Sequence, residues 1–198
     1  MLVLCLSSAS NASEVDGGMT APLGLKWGES KESIIKNYGA TSANKNESRL
    51  KLYSLTNPPI KVPGFDELYG VVDDKYGLVK VVMVESISND AYGSHGIEQY
   101  KKYSAILTKK YGRPTDKFEY IGKKLYKESD EFYQCLNYQG CGSYSSFYKP
   151  TDKAVVGLEL KGNRRGEGYL TINYESSLFD KVLQEKDNDS SEKAEQGL

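Results

Sequence analysis

Few residues in this chain have the types and spacing to do chemistry, and the most telling are Cys135 and Cys141, in the run Tyr133-Gln-Cys-Leu-Asn-Tyr-Gln-Gly-Cys-Gly-Ser-Tyr144. Two thiols this close either help hold a metal or oxidise to a disulfide. A structural zinc site needs about four ligands, and neither a further cysteine nor a histidine stands near the pair, so the two read as a bridge. Closing so short a loop removes little chain entropy, on the order of 2 kcal/mol. Its use is therefore local shape.

The other candidates fall to simpler readings. His95, the single histidine, lies in Asp90-Ala-Tyr-Gly-Ser-His-Gly96; acid–base or nucleophilic work through it needs an activated serine or thiolate, yet no Gly-x-Ser-x-Gly turn is present and both cysteines are committed to the bridge. The carboxylate pairs Asp73-Asp74 and Asp130-Glu131 could in principle cleave a glycosidic bond if held about 5 to 9 Å apart in a cleft, but Asp73-Asp74 falls at a hairpin turn. Gly162, Gly166 and Gly168 look like a phosphate loop, yet a strand follows them where a phosphate site uses a helix N-terminus. Asp187-x-Asp189-x-Ser191 has Glu192 where a calcium loop turns on glycine. No catalytic residue, metal site or cofactor is assigned.

Residues 1–12, Met1-Leu-Val-Leu-Cys-Leu-Ser-Ser-Ala-Ser-Asn-Ala12, run from apolar to small polar residues and end in a small-x-small pattern, which reads as a signal peptide, truncated at its basic end and cut before Ser13. Leu4 stands before Cys5 where a lipidation site needs a small residue. An even pair of cysteines in an exported chain fits a bridge, so the expected location is periplasmic or secreted. A net charge of −1 argues against nucleic acid, which draws on clustered excess Lys and Arg. No apolar run reaches the roughly 20 residues of a membrane span. From Asp180 on, six acids face three lysines, a net of −3, and this composition predicts a disordered tail over 180–198.

Between these ends the pattern is of two helix-then-sheet units, 21–90 and 91–179, within a single domain spanning 13–179. Ser30 caps a helix over Lys31–Tyr38 that stops at Gly39, with Ile34, Ile35 and Tyr38 as its buried side and Trp27 folded back on it. A second helix, Gly96–Tyr111, buries Ile97, Tyr100, Ser104, Leu107 and Tyr111 and ends at Gly112. Lys102, Lys109 and Arg113 form a basic, solvated far side in which Ile106 is out of pattern. The two Tyr-Gly stops lie 73 residues apart, a spacing that suggests a repeat. Strands are expected at Arg49–Leu55, Glu67–Asp73 and Leu78–Ser86, then at Lys117–Ile121, near Glu131–Leu136, at Ser143–Tyr148, Ala154–Leu160 and Tyr169–Tyr174. Tight turns between them mean antiparallel pairing. The fold class is α+β: two units forming one curved sheet with two helices on one face.

The opening run Leu25-Lys-Trp-Gly-Glu-Ser-Lys-Glu-Ser-Ile-Ile-Lys-Asn-Tyr-Gly39 resembles the glycine-aliphatic-x-aromatic-glycine-x-serine helix start of small exported bacterial proteins. Some of those have folds like the β-lactamase-inhibitor protein or the outer-membrane assembly lipoprotein of the SmpA/OmlA type. The resemblance implies tandem or single helix-plus-sheet units that bind other proteins without catalysis. The cysteine-closed hairpin parallels the inhibitor family; the sequence before Cys5 departs from the assembly lipoprotein.

Sixteen tyrosines against one tryptophan suit a one-sided sheet, where the ring packs and the hydroxyl reaches water, and equally suit an adaptable binding surface. Tyr133, Tyr138, Tyr144, Phe147 and Tyr148 cluster around the cysteine loop. They either pack on the sheet or form a contact surface with Arg164 and Arg165, whose guanidinium groups can bond carboxylates bidentately. The expected function is a non-catalytic protein-binding module. The alternatives are an inhibitor or immunity protein against an envelope or secreted enzyme, an outer-membrane assembly factor, and a hydrolase. Thiol labelling of the unreduced, denatured protein should leave Cys135 and Cys141 unmodified; stoichiometric labelling of both would remove the bridge from this account.

Overall fold

The computed structural model describes residues 19–43, 48–123 and 125–197; the signal-peptide reading of 1–12 and the cut before Ser13 lie outside them. The first helix, α1 (Lys31–Tyr38), has the expected bounds. The Ser30 hydroxyl accepts the Ser33 N–H at 3.2 Å, and Gly39 takes the left-handed conformation, φ 62°, that ends the helix without a Cβ penalty. Ile34 and Tyr38 are buried, but Ile35 is 42% exposed, because one turn of so short a helix faces the sheet and position 35 falls beside it. The Trp27 indole N–H donates to the Met19 carbonyl at 3.0 Å and its ring packs against the core.

Four strands follow, β1 (Thr41–Ser42), β2 (Leu50–Ser54), β3 (Glu67–Asp73) and β4 (Gly77–Ile87). The second helix, α2 (Ser94–Tyr111), then precedes β5 (Asp116–Tyr120), the short helix α3 (Phe132–Asn137), and β6 (Ser143–Thr151), β7 (Ala154–Arg164) and β8 (Glu167–Glu175). The eight strands form one antiparallel sheet in the order β1-β2-β3-β4-β8-β7-β6-β5. Two four-stranded runs, each preceded by a helix, thus meet where their last strands pair.

Side chains alternate across this sheet with a period of two. On the helix side, register aligns Tyr53, Gly70, Val81, Tyr174, Val156 and Tyr148, and α2 covers this row with Tyr100, Tyr103 and Leu107. Two buried hydroxyls here find partners, Tyr100 with Ser146 at 2.6 Å and Tyr148 with the Ser104 carbonyl at 3.1 Å. The opposite row runs Thr41, Ser54, Tyr69, Val82, Asn173, Gly157, Phe147, Asp116 through all eight strands.

Two expected elements differ. The segment near Glu131–Leu136 is the helix α3, not a strand. Glu128 and Glu131 form a reciprocal capping box ahead of it, and Phe132, Tyr133 and Cys135 fall on one buried side. The tail read as disordered from Asp180 is part of α4 (Ser177–Gly197). Its first turns carry what composition averaged away: Val182 is fully buried, Phe179 lies under the Lys80 ammonium, and Glu185 bonds Arg49, Lys75 and Tyr76 at 2.7, 2.6 and 2.7 Å. Those three partners hold the Glu185 carboxyl down to about 2.

Beyond Lys186 every described residue of α4 is exposed. Deleting 186–198 should leave the melting temperature within about 1 °C, whereas deletion from Asp180 should lower it by several degrees. The loss of buried Val182 alone costs about 1.5 kcal/mol or more, and each kcal/mol shifts a domain of this size by roughly 2–4 °C. Thermal denaturation of the two truncations checks this.

Candidate functional site

The disulfide loop is built from α3 outward. Cys135, on the buried side of α3, joins Cys141 just past the helix, with Cα atoms 5.1 Å apart. The segment after β5 closes over the bridge: the Lys123 N–H reaches the Cys141 carbonyl at 3.0 Å, and the Gly122 N–H lies 3.2 Å from Cys135 Sγ. Folding this segment onto the loop leaves Ile121, Leu125, Tyr126 and Tyr138 exposed by 44, 51, 37 and 45%, with the Tyr126 and Tyr138 rings edge to face at 6.1 Å. This apolar knuckle, set at one end of the sheet, is a departure from an ordinary polar surface.

The turn between β7 and β8 lies beside it. Asn137 donates to the Asn163 carbonyl at 3.2 Å, and Arg165 pairs with Asp130 just ahead of α3. Arg164 grips Glu167 with two bonds of 2.7 Å. Tyr138, Arg164 and Arg165, singled out as contact residues, are thus exposed and share one rim, with both guanidinium groups already paired to acids of the chain. A hollow of about 450 Å³ opens next to that turn on the uncovered sheet face, lined among others by Glu67, Val84, Asn163, Glu167 and Tyr169. Tyr169 is 37% exposed.

Four of the expected contact residues are elsewhere. Tyr148 is fully buried beneath α2. Tyr144 is half-buried and meets the rings of Tyr100 and Phe132. Phe147 lies on the uncovered face, over Gly157. Tyr133 is fully buried as well, and its surroundings explain the glycines of the β7–β8 turn region. A Cβ on Gly168 would overlap the Tyr133 ring, one on Gly162 its backbone carbonyl, and one on Gly96 its hydroxyl. Two of the three glycines read as a possible phosphate loop, Gly162 and Gly168, are gaps into which α3 sits, while Gly166, at φ 70°, serves the turn itself.

The Tyr133 hydroxyl donates to Asp90 Oδ2 at 2.7 Å, and the same oxygen accepts the Gly96 N–H at 2.9 Å in the first turn of α2. A carboxylate at a helix N-terminus meets the positive end of its dipole. Burial pushes Asp90 up, but the Gly96 amide and the Tyr133 hydroxyl outweigh it and hold the carboxyl below its ordinary value. Burial first, and then the bond to Asp90, push the Tyr133 phenol up. This hub escaped the sequence reading, because Asp90 stands three residues ahead of the N-cap Gly93, outside the position where an N-cap residue is sought.

His95 is exposed in the first turn of α2. Glu85, at the edge of the helix-side core, is buried with Oε2 unpartnered; burial raises its carboxyl, while His95 and Lys102 draw it down. Among the described residues no three His, Cys, Asp or Glu side chains gather as a metal would need, and no helix is long and apolar enough to cross a membrane. What the rim and open face offer a ligand is area, aromatic edges and paired charge.

Because the folded value of Asp90 is depressed, its contribution is full above about pH 4, the ordinary range of an aspartate, and is lost as pH falls through the folded value. Urea unfolding across pH 2–7 should show Asp90→Asn less stable than wild type at neutral pH and with a shallower loss below about pH 4. Tyr133→Phe should cost about 1–3 kcal/mol, since it removes one of the two hydrogen bonds to the buried Asp90 carboxylate oxygen.

No known family model matches this sequence, and no curated protein or solved structure shows significant similarity to it.

Proposed function

We propose that this chain is a non-catalytic, exported protein-binding module that engages its partner through the uncovered sheet face and the disulfide-held rim. The observation that carries this is the knuckle of Ile121, Leu125, Tyr126 and Tyr138, fixed by a covalent bridge and facing solvent. Exposed aromatic side chains on a preset frame lose little entropy on binding, and such anchors dominate protein interfaces. The bridge also supports export, because disulfides persist in oxidising compartments.

A sharper form is an inhibitor or immunity protein for an envelope or secreted enzyme. What favours it is the sheet itself: two helix-led four-stranded runs joined into one, with helices on one side, is the arrangement implied by the resemblance to the inhibitor-like fold group. Its uncovered face and rim then form a single broad seat.

Capture experiments with immobilised full-length protein and periplasmic extract test the reading. Tyr138→Ala and, separately, Tyr169→Ala should weaken retention of the captured partner by more than tenfold, as a hot spot of about 2 kcal/mol predicts, with unchanged circular dichroism. His95→Ala should bind and act as wild type does. If His95→Ala abolished the biological activity while folding and capture stayed intact, the hydrolase alternative would replace this one.

A further inference from the structure

Charge in this chain is strongly segregated. Residues 94–113 hold Lys101, Lys102, Lys109, Lys110 and Arg113 against Glu98 alone, a net of +4, which leaves −5 for the rest of a chain totalling −1. All five cations are exposed. Lys102, Ile106 and Lys109 follow one another at helical spacing on α2, a single stripe pointing away from the side on which Tyr100, Tyr103, Ser104 and Leu107 are buried, and Arg113 lies just past the helix end at Gly112. Lys101 and Lys110 flank it.

With the described residues, none of the five pairs with an acid, although Arg49, Lys51, Lys75, Lys80, Arg164 and Arg165 all do. Lys102 donates to Gln99 at 3.2 Å, and Lys102 and Lys110 lie over Tyr103 and Tyr111. In the middle of the stripe Ile106 is 52% exposed. The stripe is thus a row of cations with no acid in direct ion-pair contact among the described residues and one apolar side chain at its centre.

We propose that the outer face of α2 is a docking site for an anionic phospholipid surface. Three features select a bilayer over an acidic protein. Four of the five cations are lysines, flexible point charges suited to a diffuse field of phosphates, where paired recognition of carboxylates favours arginine and protein interfaces are depleted in lysine. An 18-residue helix offers a convex line about 27 Å long, which lies flat against a plane. Ile106 among cations is the arrangement of an interfacial helix, whose apolar contact sits at the headgroup boundary beneath a polybasic rim. This orientation keeps the uncovered sheet face turned away from the bilayer, so the site does not depend on the protein-binding reading.

Co-sedimentation of the full chain with phosphatidylcholine vesicles, with and without phosphatidylglycerol, tests the proposal. Binding should require phosphatidylglycerol and fall steeply as salt rises. Each lysine neutralised should cost roughly fivefold in partitioning, so Lys102→Glu/Lys109→Glu/Arg113→Glu should lower it by about a hundredfold or more, with an unchanged melting temperature. Reversing exposed Lys31 and Lys36 of α1 should leave binding within a factor of about three, since they lie off the stripe. Equal binding to neutral vesicles, or a triple variant that binds like wild type, would overturn the proposal. So would a wild-type protein that ignores charged vesicles yet is retained by poly-glutamate, which would assign the stripe to an acidic protein.

Discussion

The arrangement of this molecule depends on a vacancy of side chains. Phe132 and Tyr133 enter a space that exists because Gly93, Gly96, Gly162 and Gly168 carry no Cβ there, and the Tyr133 hydroxyl ends on Asp90. One aromatic side chain thereby ties together the start of α2, the β7–β8 hairpin and α3. Interiors pack at crystal-like density, so a methyl group added to any of these gaps displaces the ring or the backbone behind it. Because α3 carries Cys135 and leads into Tyr138, its seating also sets where the disulfide loop and its exposed aromatics stand. The bridge fixes the loop to α3, and the glycines fix α3 to the sheet.

Across the sheet, the two faces divide the work. The helix side holds the continuous core, with tyrosines whose hydroxyls are paired inside it. The other side carries polar and aliphatic side chains together with Tyr69, Phe147 and Tyr169, Gly157 leaving room for Phe147. That division lets the fold be stable without the open face being covered. Surface recognition and stability then rest on different residues, and Tyr138 and Tyr169 can change with little cost to the core.

Much of this was legible from local signals. Ser30, Gly39 and the spacing of Ile34 and Tyr38 define α1, and alternation marks β3, β4, β7 and β8. The strand expected near Glu131–Leu136 was misassigned because six residues rich in aromatics satisfy either period, and only the capping glutamates at 128 and 131 decide for helix. The tyrosines show the limit most clearly. Tyr133, Tyr138 and Tyr148 sit in similar sequence surroundings, yet two are fully buried and one is exposed. What separates them is glycines and hydroxyls brought from distant segments, which no local window contains. The α4 expectation failed differently, since averaging over 180–198 hid one buried valine and one well-placed glutamate.

The position of β8 has a consequence in time. It is the last strand in the chain and lies near the middle of the sheet, between β4 and β7. Before residues 167–175 arrive, no strand pairing joins the two halves, and β4 and β7 are open edges. Long-range closure of this kind is slow compared with the local hairpins that precede it. A nascent chain therefore cannot complete its sheet until residue 175 has been made, and when it does, Ser176 bonds to the Val79 carbonyl immediately after β8 and fastens the seam. Until then the protein stays incompletely folded, its sheet open along the line where β8 will lie.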